Sequence, residues 1–227
     1  MSPVPAEPAD PHAEARRRMV AGQLAGRGIR DTRVLAAMER VPRHAFVAPG
    51  FEDRAYDDRA LPVAGGQTIS QPWIVARMLE LAHVPAAGRV LEVGTGTGYQ
   101  TAVLAELAGE VCSVERLEPL LAEARARLAG LGVANVRFRL GDGTLGWQEF
   151  APYASVLAAA AAPHVPRALL EQLDEGGVLV IPVGSARSQW LEVWRRQGHR
   201  FLHERHDECR FVPLIGQDAW RDDPHHN

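Results

Sequence analysis

From Arg89 onward, short apolar runs alternate with amphipathic segments along the chain. Such runs are typical of strands in a parallel sheet, which are covered on both faces and are therefore apolar throughout. Strand–helix alternation predicts a mostly parallel central sheet with right-handed crossovers and helices on both faces. Strands are expected at 89–93, 111–115, 136–140, 154–159 and 178–183, and helices near 98–108, 118–130 and 166–173.

The sequence on either side of this core follows other patterns. Helices are predicted at 13–24 and after an Asp31 cap, and a third begins at Pro72, whose missing N–H costs nothing at the first helical position. The runs 189–195 and 199–213 have no helical period and predict an antiparallel hairpin. The expected fold is α/β and Rossmann-like, with an N-terminal helical extension and a C-terminal antiparallel hairpin.

Length and composition set the domain organisation. A chain of 227 residues has room for one α/β domain with a modest extension. The start of the chain is rich in proline and acidic residues and has no apolar signal core, so we expect a disordered tail there. The expected organisation is a tail at 1–12, helices and a substrate loop at 13–88, a Rossmann-like core at 89–220 and a second tail at 221–227.

Charge and cysteine content indicate which partners and which cellular compartment to expect. The formal net charge is −3, whereas nucleic-acid-binding proteins normally carry an excess of basic residues. Cys112 and Cys209 cannot form a disulfide framework and fit a reducing cytoplasm. The longest uncharged stretch, residues 150–166, is too short and too rich in proline to span a bilayer. We expect a cytoplasmic protein without a nucleic-acid or membrane partner.

A glycine-rich turn follows the first core strand. Gly94, Gly96 and Gly98 form the pattern G-x-G-x-G, one residue shorter than the dinucleotide fingerprint G-x-G-x-x-G. Glycine lets the backbone approach a ligand closely, and the free N–H groups of the following helix favour a negatively charged ligand group. The shorter pattern favours S-adenosylmethionine (SAM) and makes a dehydrogenase the weakest candidate. A glycine turn without a ligand is the alternative.

Two carboxylates accompany this turn. Glu115 ends the second core strand, where it can accept hydrogen bonds from a ribose diol. Glu92 lies inside the strand before the turn and suits a cationic group, such as the ammonium of SAM. The turn and these carboxylates together predict a nucleoside-cofactor site at the carboxyl edge of the sheet.

The segment 65–72, Gly-Gly-Gln-Thr-Ile-Ser-Gln-Pro, is the second candidate site. Its glycines, hydroxyl side chains and helix N-terminus come just before the first core strand. Such a loop could cover the cofactor and present Ser70 beside the methyl group. Serine and threonine are also common helix caps, so a plain cap is the competing interpretation.

Further segments accompany these two motifs. They are Met19-Val20, Gln23-Leu24, Val41–Val47, Ala55–Asp58, Leu61-Pro62, Gly66–Pro72, Val90–Tyr99, Gly141–Thr144, Ala160–Pro163 and Phe211–Leu214. Together they resemble the protein-L-isoaspartate (D-aspartate) O-methyltransferases over roughly residues 15–220. The Gln-Thr-Ile-Ser segment is far more specific to this family than the glycine turn is.

The resemblance implies a class I SAM-dependent methyltransferase fold and a monomer. It implies methyl transfer from SAM to the free α-carboxylate of L-isoaspartyl and D-aspartyl residues in damaged proteins or peptides. It also implies Ser70 as the active-site residue, and Gly141 and Asp142 beside the adenine. The expected cofactor-binding residues are Gln67, Thr68, Ile69, Glu92, Gly94, Thr95, Gly96, Gly98, Glu115, Arg116, Gly141 and Asp142.

The chain departs from the family pattern at two positions. Ala154 stands where similar proteins usually have aspartate, and Ala159 where they have threonine or glycine. If that aspartate only anchors the strand, activity would survive with lower stability; if it shapes the substrate side, repair activity would suffer. The alternatives are therefore methylation of an aspartate in one dedicated biosynthetic peptide, or SAM binding without catalysis.

Other polar and aromatic residues give weaker signals. His203, His206 and Cys209 are spaced three apart, but residues so spaced alternate faces on a strand, so a shared metal ion is not expected. Trp73, next to Ser70, could line a peptide groove. No metal is predicted.

Overall fold

The computed structural model describes residues 10–63 and 66–221. Its strands are β1 (Leu61–Pro62), β2 (Thr68–Ile69), β3 (Arg89–Val93), β4 (Glu110–Glu115), β5 (Val136–Leu140), β6 (Tyr153–Ala158), β7 (Leu173–Gly184), β8 (Gln189–Gln197) and β9 (Arg200–Cys209). Its α-helices are α1 (Ala13–Arg18), α2 (Thr32–Arg40), α3 (Pro72–Ala82), α4 (Tyr99–Leu107), α5 (Glu118–Gly130) and α6 (Arg167–Glu171).

Seven strands form the central sheet in the order β5-β4-β3-β6-β7-β8-β9. The first five of these are parallel, and β8 and β9 add antiparallel at one edge. The chain order reverses at β3, which lies between β4 and β6. In open α/β sheets, ligands bind outside the carboxyl ends of the strands at such a switch point. The predicted fold class is confirmed.

Alternate residues of each strand face the two sides of the sheet, and both sides are covered. Val90 and Val111 pack in one apolar cluster with α2, α3 and α4. Leu91 and Cys112, the next residues along, pack in a second cluster on the opposite face, where Leu169 of α6 also lies. Burial on both faces explains why the core strands show no alternation of apolar and polar residues in the sequence.

Several predicted boundaries differ from the structure, and one pair of strands was not predicted. The helix expected at 13–24 is α-helical only to Arg18 and continues as a π-helical turn over Met19–Leu24. The helix expected at 166–173 ends at Glu171, because β7 already begins at Leu173. The last strand ends at Cys209, and the chain then leaves the sheet. The short pair β1–β2 was not predicted; its two residues per strand give no measurable periodicity.

The predicted tails fall largely outside the described residues, which begin at 10 and end at 221. Within the predicted N-terminal tail, His12 stacks on His44 with ring centroids 4.2 Å apart. Across the described part of the chain, no helix combines the length and the apolar character that a membrane span requires.

Candidate functional site

A cavity of about 980 Å³ opens at the carboxyl ends of the parallel strands. Three segments form most of its wall: 66–70, 93–97 and 210–215. Nine of the predicted site residues line it, namely Gln67, Thr68, Ile69, Ser70, Gly94, Thr95, Gly96, Glu115 and Arg116. Four do not, namely Glu92, Gly98, Gly141 and Asp142. The two motifs singled out in the sequence therefore face one shared space.

The three glycines of the turn have different structural roles. All have positive φ angles, of 93°, 54° and 89° at Gly94, Gly96 and Gly98, which favour glycine. A Cβ atom at Gly96 would meet nothing within 4 Å, so the turn is open to a ligand there. A Cβ at Gly98 would lie 3.2 Å from Leu128 and 3.3 Å from Ala124, so this glycine lets α4 approach α5.

Glu115 fixes the glycine turn from the end of β4. Its Oε2 atom accepts a hydrogen bond from the Gly96 N–H at 2.9 Å. Its Oε1 atom accepts from the N–H groups of Arg116 and Leu117, at 2.8 and 3.0 Å. Although it lines the cavity, Glu115 is only 6% exposed. The carboxylate is therefore held rigidly at the cavity wall, where it can accept further hydrogen bonds from a diol.

Glu92 lies beneath the cavity and does not reach its surface. Its side chain is fully buried, and its carboxylate accepts hydrogen bonds from Thr101 at 2.5 Å, Ser113 at 2.6 Å and Gln100 at 3.1 Å. Burial raises the pKa of this carboxyl to about 7. Thr95 bonds to the Ser113 hydroxyl at 2.6 Å, so Glu92 supports the turn from below. Glu92 does not line the cavity, and its contact with a ligand ammonium stays a prediction.

Gly141 and Asp142 also lie outside the cavity wall. The Gly141 N–H donates to the Glu115 carbonyl at 2.9 Å and continues the sheet pairing. The Asp142 carboxylate caps the next turn by accepting from the Thr144 N–H at 2.9 Å, and it accepts from the Gln217 N–H at 2.8 Å. Asp142 thus secures the C-terminal segment, and its neighbour Gly143 lines the cavity instead.

The segment around Ser70 is anchored at both ends. Its strand β2 pairs with β1, with Ile69 opposite Leu61. At the start of α3, Asp58 accepts from the Trp73 N–H at 3.1 Å and the Gln71 side chain at 2.8 Å. No hydrogen bond within the described part of the chain engages the Ser70 hydroxyl, which leaves it available to a ligand. Gly65, included in this motif above, lies outside the described residues.

The wall formed by residues 210–215 was missed as a site by sequence reasoning. The chain crosses the cavity there because the Ala161 N–H donates to Val212 at 2.8 Å and the Leu214 N–H donates to Ala161 at 2.7 Å. The Phe211–Leu214 segment was a recognisable motif, but its residues carry no chemistry of their own. Their backbone and apolar side chains shape the space.

The two departures from the family pattern lie at opposite ends of β6. Ala159 follows its carboxyl end and lines the cavity. Ala154 lies near its amino end, in a small surface depression with His83 and Pro85. At about 3.3 Å per residue, five residues of strand separate the two by roughly 16 Å. Ala154 is therefore remote from the site.

The remaining candidates stay away from the cavity wall. The Trp73 ring lies under the guanidinium of Arg27, 4.8 Å from it, and does not line the cavity. His203 stacks on Trp194 with centroids 4.4 Å apart and contacts Glu192 at 3.1 Å. Among residues 10–63 and 66–221, no three His, Cys, Asp or Glu side chains are grouped to hold a metal ion.

Comparison with known proteins agrees with this geometry. A model of the protein-L-isoaspartate(D-aspartate) O-methyltransferase family matches residues 15–219. The chain is 52% identical to the protein-L-isoaspartate O-methyltransferase of Methanoregula boonei over 210 residues, covering 92% of this chain and 97% of that protein. It is 56% identical over 222 residues to the protein of the same name from Synechococcus sp., covering 95% and 91%.

Solved structures share the fold. A structure named protein-L-isoaspartate O-methyltransferase matches with a TM-score of 0.81 and 28% identity, covering 90% of this chain and 67% of that chain. A Plasmodium falciparum structure in complex with S-adenosyl-L-homocysteine matches with a TM-score of 0.77 and 22% identity, covering 88% and 98%.

Proposed function

The chain belongs to the protein-L-isoaspartate(D-aspartate) O-methyltransferase family, and on this premise we propose how its cavity divides the reaction between two walls. The protein is an enzyme that uses SAM to methylate L-isoaspartyl residues of damaged proteins. We assign the cofactor to the wall formed by the glycine turn and Glu115, which we call the cofactor wall. We assign the acceptor to the wall that carries Ser70, formed by residues 66–70 and 210–215, which we call the acceptor wall. The observation that supports this assignment is that both motifs line the same cavity of about 980 Å³.

The residues of the first wall fit SAM. Gly96 leaves open space above the turn, and Glu115 offers carboxylate oxygens to a ribose. Leu117 and Leu120 add apolar surface on which an adenine ring can pack. The cavity lies at the upper end of the range of small-ligand sites, so it has room for a nucleoside and the end of a peptide. When bound, SAM supplies a methyl group on a positively charged sulfur.

The acceptor needs little acid–base assistance. A carboxylic acid has an ordinary pKa near 4, so the isoaspartyl α-carboxylate is already an ionised nucleophile at neutral pH. The task that remains is alignment of one carboxylate oxygen with the methyl group, and alignment can contribute several kcal/mol. The chain therefore requires positioning groups on the acceptor wall and no general base.

Ser70 is the group we assign to that task. Its hydroxyl has no hydrogen-bond partner in the described part of the chain and lines the cavity. We propose that it donates a hydrogen bond to the acceptor carboxylate and orients it without forming a covalent bond. Apolar neighbours such as Ile69, Val212 and Leu214 would exclude water as the opposite charges of acceptor and sulfonium disappear.

Oligomeric state and location belong to the same proposal. We propose a cytoplasmic monomer that has neither a nucleic acid nor a membrane as a partner. The net charge of −3 supports the absence of nucleic-acid binding. The exposed edge strands β5 and β9 carry charged side chains, which oppose edge-to-edge pairing of copies. Sedimentation of the purified chain tests the monomer.

A matched pair of peptides tests the proposed function. One contains an L-isoaspartyl residue and its twin contains aspartate at the same position. With labelled SAM, we expect methyl incorporation into the isoaspartyl peptide and little into the twin. Preference for the aspartyl peptide would favour a biosynthetic peptide as the substrate, and SAM binding without turnover of either would indicate lost catalysis.

A further inference from the structure

Arg43 is a buried cation that contacts the acceptor wall from behind. Its side chain is fully buried and is among the largest side chains in the interior. The Nη2–H group donates to the Ser70 carbonyl at 2.8 Å, and the Nε–H group donates to the Ala55 carbonyl at 2.7 Å. The guanidinium also lies over the ring of Tyr99, 4.7 Å from its centroid. One side chain thus touches three separate segments of the chain.

Burial of this charge is costly for the fold. No carboxylate is hydrogen-bonded to Arg43 within the described residues, and its Nη1 atom has no partner there. Asp58 acts on it only through space, because the Asp58 oxygens bond to Arg27, Gln71 and Trp73. Burial lowers the pKa of the guanidinium. An apolar side chain would fill such a position at lower cost, so stability alone does not account for an arginine here.

The contacts of Arg43 join the two walls of the cavity. Ser70 belongs to the acceptor wall, whereas Tyr99 is the first residue of α4 and directly follows the glycine turn. The planar guanidinium can donate to two carbonyls while its face packs on a ring, which an ammonium cannot do. The Tyr99 ring is itself fixed by Phe46, with centroids 5.6 Å apart. The distance between Ser70 and the turn is therefore set through one rigid group.

We propose that Arg43 is a positioning residue for methyl transfer: it fixes the Ser70 backbone relative to the glycine turn, and so aligns the acceptor with the methyl group. This inference rests on the proposed function and deepens it. Because Arg43 acts through the Ser70 carbonyl, its loss should lower kcat and leave SAM affinity intact. A displacement of about 1 Å in a reacting pair can cost roughly 100-fold in rate.

Kinetics of the whole enzyme with the isoaspartyl peptide test this role. The variants are Arg43→Lys, which keeps the positive charge, and Arg43→Met, which keeps an unbranched apolar side chain without the charge. The second variant tests the role of Arg43 if the lysine variant does not fold. We expect kcat to fall about 10- to 100-fold in Arg43→Lys and further in Arg43→Met. The dissociation constant of SAM, measured by calorimetry, should change less than about twofold.

Arg33→Lys is the matched control. Arg33 also donates to two carbonyls, of Val84 at 2.8 Å and Leu107 at 2.6 Å, but it does not line or back the cavity. This variant should keep wild-type kcat and KM. Wild-type kcat in Arg43→Lys and Arg43→Met would overturn the inference, and so would a parallel loss of SAM binding. A wild-type enzyme that does not methylate the peptide would instead overturn the proposed function.

Discussion

The two walls of the cavity are built by different means. The wall that we assign to the cofactor, residues 93–97 and 114–117, continues two parallel strands in regular register and is held by backbone pairing and by neighbouring side chains such as Glu115. The wall that we assign to the acceptor, residues 66–70 and 210–215, contains only a two-residue strand. It is held by contacts between residues distant in sequence, such as Arg43 with Ser70, 27 residues away, and the Ala161 backbone with Val212 and Leu214.

Because the two walls are built differently, substitutions in the cofactor wall should change SAM affinity, and substitutions in the acceptor wall should change kcat. A wall built on sheet backbone is rigid before any ligand arrives, so changes to its few side-chain contacts should alter how tightly SAM binds. A wall held by long-range polar contacts can shift slightly without unfolding, so changes there should alter alignment and kcat. Glu115→Ala and Ser70→Ala test whether the two effects separate, and two further substitutions test the support beneath the cofactor wall and the remote end of β6.

Glu115→Ala should have the largest effect, on the cofactor wall. It removes the carboxylate assigned to the ribose and the acceptor that holds the Gly96 N–H. Because hydrogen bonds to a charged group contribute about 1.5–3 kcal/mol each, SAM affinity should fall about 100-fold or more. Calorimetry measures it, with the exposed Glu118→Ala as control. A fall of less than about fivefold would contradict the assignment.

Glu92→Gln should change how stability depends on pH. Because the folded protein raises the pKa of Glu92 from 4.5 to about 7, it holds this proton more tightly than the unfolded chain does. The resulting stability is complete below the unfolded pKa and is lost as pH rises through about 7, in total about 3 kcal/mol. Glutamine cannot ionise, so the variant should lack this decline in the free energy of unfolding.

Urea unfolding between about pH 5 and pH 8 measures the decline, and Glu110→Gln is the control, because the pH dependence of Glu110 lies below this range and the decline should be unchanged. Hydrogen bonds from Arg137 and Arg89 lower the pKa of Glu110, so its stability is present above its ordinary pKa and is lost as pH falls. Parallel curves for wild type and Glu92→Gln would show that Glu92 does not titrate as described.

Ser70→Ala tests the acceptor wall. Removal of one hydrogen bond to a carboxylate, about 1.5–3 kcal/mol, should lower kcat/KM for the isoaspartyl peptide about 10- to 100-fold. SAM affinity should stay at the wild-type value, since the cofactor wall is intact. Thr32→Ala removes an exposed hydroxyl on α2 and serves as the control. Unchanged methylation by Ser70→Ala would remove Ser70 from the site.

Ala154→Asp should have the smallest effect. It restores the residue usual in similar proteins, but Ala154 lies near the amino end of β6, away from both walls. Surface substitutions of this kind change free energies by about 0.5 kcal/mol, so kcat/KM should stay within roughly twofold. A tenfold gain in methylation would mean that the amino edge of the sheet influences the acceptor wall.

The cofactor wall was largely predictable from the sequence, because its signals are local. The apolar run 89–93 matches β3, and α5 occupies 118–130 as predicted. The position of Glu92, buried beneath the cavity, is the exception. Strand alternation directs Glu92 toward α4, where Thr101 and Gln100 donate hydrogen bonds to it. The sequence of the strand alone does not show which residues of α4 face it.

The acceptor wall was predictable only in part. The Ser70 segment was found because its motif is distinctive, but its support was not. Arg43 lies in a 3₁₀ turn between helices, and nothing local shows that its guanidinium reaches the Ser70 carbonyl. Residues 210–213 of this wall were likewise assigned to the last strand, because the run 199–213 has no helical period, whereas β9 ends at Cys209. Contacts across long stretches of sequence decide this wall, and periodicity does not encode them.

The most direct test of the central claim is calorimetric titration of SAM into the purified wild-type chain. We expect saturable binding at one site, lost when excess S-adenosyl-L-homocysteine already occupies the cavity and weakened in Glu115→Ala but not in Ser70→Ala. Absence of binding by the folded chain, or equal weakening by both substitutions, would contradict that claim.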